Sequence, residues 1–528
     1  YKFPLVQEES KRNKENKTMS DFLNAMKNAT NLTYTENGAL THKTTGTDLY
    51  DMFALGGAMR TRSDEDVILM FQKAYKENPV YAMKCLFYLR DVRGGQGERR
   101  FFRTVMKYMA KHNADAVRDM IQHIPEYGRW DDLYVFVDTP LEKDAFEFIK
   151  GQLALDVQCK TPSLLGKWLK SENTSSAESR KLAHITKTYM GMTSRQYRKT
   201  LSILRARINI VERLMSENRW DEIEFDKIPS RAGLIYKNAF ARHDIERQKS
   251  GARTYEDFAK DATTTVNAKA LYPYEVVAKA LETMGYSYWG CRDVAMDDVN
   301  RLMVNKYWDN LADYFKGQSF NGMAIVDTSG SMCGSEASAP INVAISLGMY
   351  CAEKANGPFQ NHFISFESNP HFIEVEGVDF CDKVKRISKA PWGGSTNVEA
   401  AFDLMLDVAL ANHCSQDEIP QNLIVISDME FNYCVTSNAY ASHWGGGGAD
   451  ETLFEKIRNK WAAHGYTMPH LVFWNVQARQ NNIPMRDEKS VTYVSGMSPV
   501  IYEMLLSGKT AQDLMYEKLD SERYAPIH

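Results

Sequence analysis

From about residue 47 to 318 the apolar positions recur every three or four residues. They fall in blocks of roughly 12–18 residues joined by short polar breaks, which predicts one helix after another. "SDEDVILMFQKAYKEN" opens with Ser63 and Asp66 at capping-box spacing. "NPVYAMKCLFYLRDV" opens with Asn78 as cap and Pro79 at the first helical position. "RRFFRTVMKYMAKHN", "NADAVRDMIQHI" and "LEKDAFEFIKGQLALDVQ" follow. Further helices are expected in "SRQYRKTLSILRARINIVERLMSEN", "TYEDFAKDATTT", "YPYEVVAKALETM" and "MDDVNRLMVNKYWDNLADYF".

The texture changes at about 319. Short apolar runs, "GMAIVDTSG", "NHFISFES", "QNLIVISDM", "PHLVFWNVQ" and "SVTYVSG", read as strands. Between them lie amphipathic helices in "PINVAISLGMYCAEKA", "NVEAAFDLMLDVALAN", "DETLFEKIRNKWAAHG" and "MSPVIYEMLLSG". Apolar strands alternating with helices predict a doubly wound parallel sheet covered on both faces. "EFNYCVTSNAYASHWGGGGAD" carries four consecutive glycines and reads as a surface loop. Three segments result: a polar, partly ordered arm over 1–45, a helical region over 46–318, and an α/β domain over 319–528. Successive helix pairs suggest a solenoid of the HEAT kind, without a fixed sequence period.

Composition adds bounds. The 528 residues are too many for one ordinary core. With 44% hydrophobic and 25% charged residues, and no apolar run of about 18 residues, a membrane-spanning helix is not expected. The N-terminal stretch "YKFPLVQEESKRNKENK" has no apolar signal core. The eight cysteines form no C-x-x-C pair. A reduced, cytoplasmic protein is the expectation. Charge divides the chain. Residues 1–318 hold 50 Lys and Arg against 43 Asp and Glu, while 319–528 hold 14 against 25. A basic half with net +7 can meet nucleic acid; an acidic half with net −11 repels it.

The acidic half carries candidate metal chemistry. In a doubly wound sheet, ligands bind beyond the carboxyl ends of the strands. "IVDTSGSM" supplies Asp327, Ser329 and Ser331 there; "PWGGSTN" supplies Thr396 after a Gly-Gly turn; "VISDMEF" supplies Asp428. Two carboxylates and three hydroxyls are hard oxygen donors, suited to Mg²⁺ and poorly to zinc. Few of them are charged, so the ion would seek an anionic ligand from outside. Glu430, two residues after Asp428, is placed to be that ligand from within the chain. These three pieces resemble the D-x-S-x-S…T…D pattern of the von Willebrand factor A domain, which implies a metal-ion-dependent adhesion site. An Mg²⁺-dependent phosphoesterase attacking through Asp327 is a weaker reading. Position 329, two residues on, is a serine rather than a second acid, and no histidine stands in the motif.

The basic half carries candidate RNA chemistry. "LRDVRGGQGERRFFR" holds Arg90, Arg93, Arg99, Arg100 and Arg103; "PEYGRWDDL" sets Arg129 beside Trp130; "MTSRQYRKTLSILRARINIVER" holds Arg195, Arg198, Lys199, Arg205, Arg207 and Arg213. Cations among aromatics suit phosphates and unstacked bases. The alternative is a solvated helix face, with Trp130 in the core. Arg99 and Arg100 at a helix start lie where positive charge is unfavourable, which predicts an external anion there. The order of parts resembles the TROVE-domain, Ro-like RNA-binding proteins, in which a ring of HEAT-like helices is closed by a von Willebrand A domain. "FYLRDVRGGQGERR", "PEYGRWDDL", "GGSTN", "VISDMEF", "PHLVFWN" and "VTYVSGMSP" look like blocks of a sister family of unknown function, over about 45–510. That resemblance implies a non-catalytic protein binding small or structured RNA, with Mg²⁺ as cofactor and a protein partner at the metal. An adaptor without RNA is the alternative.

Overall fold

The computed structural model describes residues 31–208, 210–287, 290–291, 297–432, 452–485, 490–506 and 509–528. Residues 1–30 of the expected arm and most of the glycine loop, 433–451, lie outside them. The remainder of the arm is a hairpin, β1 (Leu32–Tyr34) antiparallel to β2 (Leu40–His42). The longer helices of the basic half follow: α1 (Asp48–Leu55), α2 (Asp64–Glu77), α3 (Pro79–Arg90), α4 (Arg99–His112), α5 (Glu142–Gln158), α6 (Ala177–Tyr189), α7 (Ser194–Arg207), α8 (Ser230–Arg242), α9 (Pro273–Thr283) and α10 (Asp298–Asp309). Ser63 accepts a hydrogen bond from the N–H of Asp66, and Asn78 from that of Tyr81, so both expected caps form.

Two expected helices are broken. "NADAVRDMIQHI" is a run of short turns, and the helix from 194 stops at Arg207 and resumes at Val211.

The acidic half builds β3 (Gly322–Asp327), α11 (Pro340–Lys354), β4 (His362–Phe366), β5 (Pro370–Glu374), α12 (Phe380–Ile387), α13 (Val398–Ala411), β6 (Asn422–Ser427), α14 (Leu453–Ala463), β7 (His470–Asn475) and β8 (Val491–Ser495). Its six-stranded sheet has the order β8-β7-β6-β3-β4-β5. The expectation of a wholly parallel sheet is corrected: β5 turns back antiparallel on β4, with Ile364 opposite Phe372. Every other pairing is parallel.

Alternation decides which helices cover which face. Met323 and Ile325 join one core with Leu423, Val425, Leu471 and Phe473. Ala324 and Val326 join the other with Ile424, Ile426, Val472 and Trp474. The helices from α1 to α7 share the first core; α8, α9 and α10 share the second. The helical region therefore contributes to both sides of the sheet.

At the β8 edge, α1 takes the place of a further strand. The hydroxyl of Tyr50 donates to the carbonyl of Tyr493 at 3.2 Å and accepts from its N–H at 3.0 Å. That satisfies main-chain groups an open edge would expose. At the far end of the chain, beyond an unlabelled short helix at Ile501–Leu505, α15 (Ala511–Leu519) leads to a turn that returns to the basic half. Buried Asp91, just after α3, accepts from Arg523 Nη2 at 2.7 Å and from the Tyr524 hydroxyl at 2.9 Å.

Candidate metal centre

Five oxygen-bearing side chains were expected at the carboxyl end of the sheet, and the topology places their loops side by side. Strands β3 and β6 are neighbours with Val326 opposite Ile426, so Asp327 and the Ser427–Asp428 pair leave the sheet together. The third loop is tied to the first by main-chain bonds. Gly393 N–H donates to Thr328 O at 2.9 Å, and Gly330 N–H to Gly394 O at 3.1 Å. Gly394 has φ +85°, and a Cβ there would lie 2.2 Å from Glu367 Oε2, so only glycine lets this loop in.

Asp327 is fully buried. One oxygen accepts from Ser329 N–H at 2.9 Å and the other from the Ser427 hydroxyl at 2.5 Å. The hydroxyls of Ser329 and Ser331 are 3.2 Å apart. Thr396 is buried and braced by Asn432, whose side-chain oxygen accepts its N–H at 3.2 Å. Asp428, 1% exposed, accepts from Glu430 N–H through Oδ1 at 3.2 Å. Its Oδ2 is buried without a hydrogen bond among the described residues, and the nearest cation, Arg479 Nε, is 3.6 Å away. Met429, between Asp428 and Glu430, has φ +65°, a strained conformation for a residue with a side chain.

The electrostatics follow from burial. Removal from water pushes the Asp327 carboxyl upward, and the charge of Asp428 pushes it further. Burial likewise raises Asp428, with Arg479, the N–H of Glu430 and the Ser331 hydroxyl pulling it back. Two buried acids that disfavour each other's charge, one with a bare oxygen, are the arrangement a hard divalent cation would relieve. Among the described residues no three His, Cys, Asp or Glu side chains stand together as a metal cluster. The remaining donors here are hydroxyls. The residues fit Mg²⁺ by donor chemistry and by the bare Oδ2.

Glu430 does not face this centre as a spare ligand. It is fully buried, and its two oxygens accept from Glu36 N–H at 2.7 Å and Asn482 Nδ2 at 2.8 Å. The residues that sequence reasoning missed here are Arg479, Asn432, Glu36 and Asn37. Arg479 follows β7 by four positions, beyond a strand's carboxyl end, where ligand groups gather; the others carry no such signal.

The basic clusters are placed less simply. Arg90 is 1% exposed and pairs with fully buried Asp132 at 2.8 Å, which removes it from any RNA surface. Arg103 pairs with the same acid at 2.7 Å. Arg100 pairs with Asp64 at 2.5 Å, and the carboxylate of Glu98 caps α4 by accepting from the N–H of Arg100. The external anion expected at that helix start is thus supplied from within. Arg93 donates to Glu126 O. Arg129 lies over the ring of Trp168 at 4.4 Å, and Trp130 stacks on Phe148. Arg205 donates to the carbonyls of Gly166 and Leu169 at 2.9 and 2.8 Å, an internal splice rather than a surface charge. Arg198 stands 3.9 Å from Glu172. Arg99, Arg195 and Lys199 are exposed, without an ion pair among the described residues.

Fold and site together define a helical region followed by a six-stranded mixed sheet with a hydroxyl-rich acidic centre at its carboxyl end. Residues 35–137 and 159–319 match the family described as Domain of unknown function (DUF2828), and residues 321–525 match Domain of unknown function (DUF7788). Uncharacterized protein L728 of Acanthamoeba polyphaga mimivirus is 32% identical over 524 residues, covering 91% of this chain and 85% of that protein. The chain belongs to the DUF2828 family, with a DUF7788 segment at its C-terminal side. Among solved structures, that of the Deinococcus radiodurans RO (RSR) protein is similar at 14% identity and a TM-score of 0.46, covering 91% of this chain and 100% of that one. At that distance function does not transfer. Among the described residues no helix is long and apolar enough to cross a membrane.

Proposed function

We propose that the protein is a non-catalytic binding protein. Residues 319–528 form a von Willebrand A-like domain that takes Mg²⁺ at Asp327, Ser329, Ser331, Thr396 and Asp428, and the centre grips an acidic group of a protein partner. The observation that carries this reading is the buried acid pair with the bare Oδ2 of Asp428. When bound, the ion supplies a positive centre with few anionic ligands, which favours one more oxygen anion. The chain's own residues set the rest. Ser427 and the N–H of Ser329 hold Asp327 in place, and Asn432 holds Thr396. No histidine stands in "IVDTSGSM", "PWGGSTN" or "VISDMEF" as a proton carrier, which supports binding over hydrolysis. Calorimetric titration with Mg²⁺ tests the ligand set. Ser329→Ala and Asp428→Ala are expected to abolish binding with the circular dichroism spectrum unchanged; undiminished binding in both means the ligands are others.

The RNA reading rests on a separate observation. Arg195, Arg198 and Lys199 project from the outer side of α7, and Arg99 is exposed at the start of α4. Such charges bind phosphates with an inverse salt dependence. In a gel-shift series, replacing Arg195, Arg198 and Lys199 together with Ala is expected to lower the log–log salt slope for single-stranded RNA by roughly 2. An unchanged slope leaves these cations as solvated surface. Chelation is expected to leave RNA affinity in place, because exposed charges beyond a Debye length of about 8 Å are screened from the centre.

A further inference from the structure

The hairpin β1–β2 places its turn against the metal centre, and a set of hydrogen bonds fastens it there. The turn closes on itself: Thr35 N–H donates to Ala39 O at 2.9 Å, and Gly38 N–H to Thr35 O at 3.0 Å. It is then fastened to the end of β6. The Thr35 hydroxyl donates to Phe431 O at 2.7 Å, Glu36 N–H to Glu430 Oε2 at 2.7 Å, and Asn37 Nδ2 to Glu430 O at 2.5 Å. Gly38 and Asn432 form an antiparallel bridge. Asn37 Nδ2 also lies 3.4 Å from the Thr396 hydroxyl, one of the five candidate ligands.

The side chain of Glu36 is the part of this turn left over. Its carboxylate reaches Arg479 Nη1 at 3.4 Å. The same guanidinium lies 3.6 Å from the bare Oδ2 of Asp428 and donates to the carbonyl of Ser331. Glu36 is thus one guanidinium away from the Asp428 carboxylate and from the main chain of Ser331, on a main chain that buried Glu430 and Thr35 hold in place. A carboxylate fixed at that point has no packing role: Glu36 is exposed, and the hairpin is anchored without it.

Resting on the metal reading above, we propose that Glu36 is a built-in occupant of the position a partner's acid takes at this centre, with Arg479 the residue that holds it there. The partner group is then a carboxylate that displaces Glu36, and residues 35–38 define by their own chemistry what the site accepts: an acid flanked by small polar residues. Arg479 matches a carboxylate with a fork of donors, whereas a phosphate would face the surplus of acids around it.

The test is Mg²⁺ calorimetry on the full chain, wild type against Glu36→Gln, with and without sodium acetate, alongside hydrogen exchange over residues 31–42. Removing one charged oxygen ligand is expected to weaken Mg²⁺ binding on the order of tenfold. Acetate is expected to restore the affinity of Glu36→Gln and to leave wild type unmoved, with amide protection of the hairpin equal in both. An unchanged Mg²⁺ affinity in Glu36→Gln overturns the proposal and leaves Glu36 as a surface ion pair. A loss that acetate does not rescue and that accompanies lost hairpin protection overturns it as well, since the effect is then one of folding. If wild type itself binds no Mg²⁺, the metal reading falls and this one with it, an outcome distinct from the other two.

Discussion

Asp428 carries an oxygen that the fold buries and leaves bare, and that gives a stability test at the scale of one residue. Without a divalent ion, Asp428→Asn removes one of two like buried charges. It is expected to raise stability by about 1–3 kcal/mol in EDTA and to erase any further gain on adding Mg²⁺, both read from melting curves. Lys237 supplies a pH test far from that centre. It is fully buried on α8 beside Asn300, and burial lowers its pKa to about 8. The folded state therefore holds fewer protons than the unfolded one between pH 8 and the ordinary lysine value near 10.5. Stability then rises with pH through that window, on the order of 1.4 kcal/mol per pH unit. Urea melts across pH 8–10.5 are expected to show the rise in wild type and to lose that component in Lys237→Met.

The metal candidates stood out in the sequence because Asp327, Ser329, Ser331 and Asp428 follow apolar strands and Thr396 follows a Gly-Gly turn. The arginines were not, because a run of cations does not say which will find an acid. The partner of Arg90 is 42 positions away at Asp132, and those of Arg205 are carbonyls. Glu36 and Asn37 lay in a stretch whose polarity gave no sign of a fixed position.

Among the elements, strands and long helices with a clear apolar side were readable, and weaker ones were passed over. Helix α6 buries little beyond Ala183 and Thr186, so its period is faint. Helix α8 exposes Ile235 and buries Lys237, which inverts the usual pattern. Strand β5 is an edge strand with Phe372 60% exposed, and nothing in "PHFIE" alternates cleanly. Helix α1 was missed as well, yet it closes the β8 edge. Two substitutions probe that contact by urea denaturation. Tyr50→Phe strands the N–H and C=O of Tyr493 and is expected to cost about 1–3 kcal/mol. Gly57→Ala places a Cβ 2.8 Å from the main-chain oxygen of Ser495 and is expected to pry α1 from the edge at a similar or larger cost.

For the whole molecule, the charge asymmetry that suggested separate partners is partly satisfied between the two halves. Arg301 of the basic half pairs with Asp379 and Asp382 at 2.7 and 2.6 Å, while Arg523 on Asp91 runs the other way, a cation of the acidic half on an acid of the basic one. Burial alone would raise Asp91; hydrogen bonds from Arg523 and from the N–H of Arg93 outweigh it and hold the carboxyl below the ordinary range. The stability this pairing adds is complete above the unfolded value near 3.9 and is lost as pH falls through the lower, folded value. At neutral pH, Asp91→Asn is expected to expose the α15 segment to limited proteolysis before the rest unfolds. The shared cores carry a further expectation: residues 319–528 expressed alone lose the cover of β8 and are expected to aggregate, which light scattering would register.

The clasp of Arg523 and Tyr524 on Asp91 joins positions 432 and 433 apart, and its consequence lies in the order of synthesis. The ribosome releases α1 to α4 long before the sheet they pack on exists. At about 5–20 residues per second, the wait is on the order of 20–80 s. Through that interval the nascent chain carries uncovered Leu, Phe and Met side chains, the transient apolar surface that makes an incomplete chain prone to aggregate.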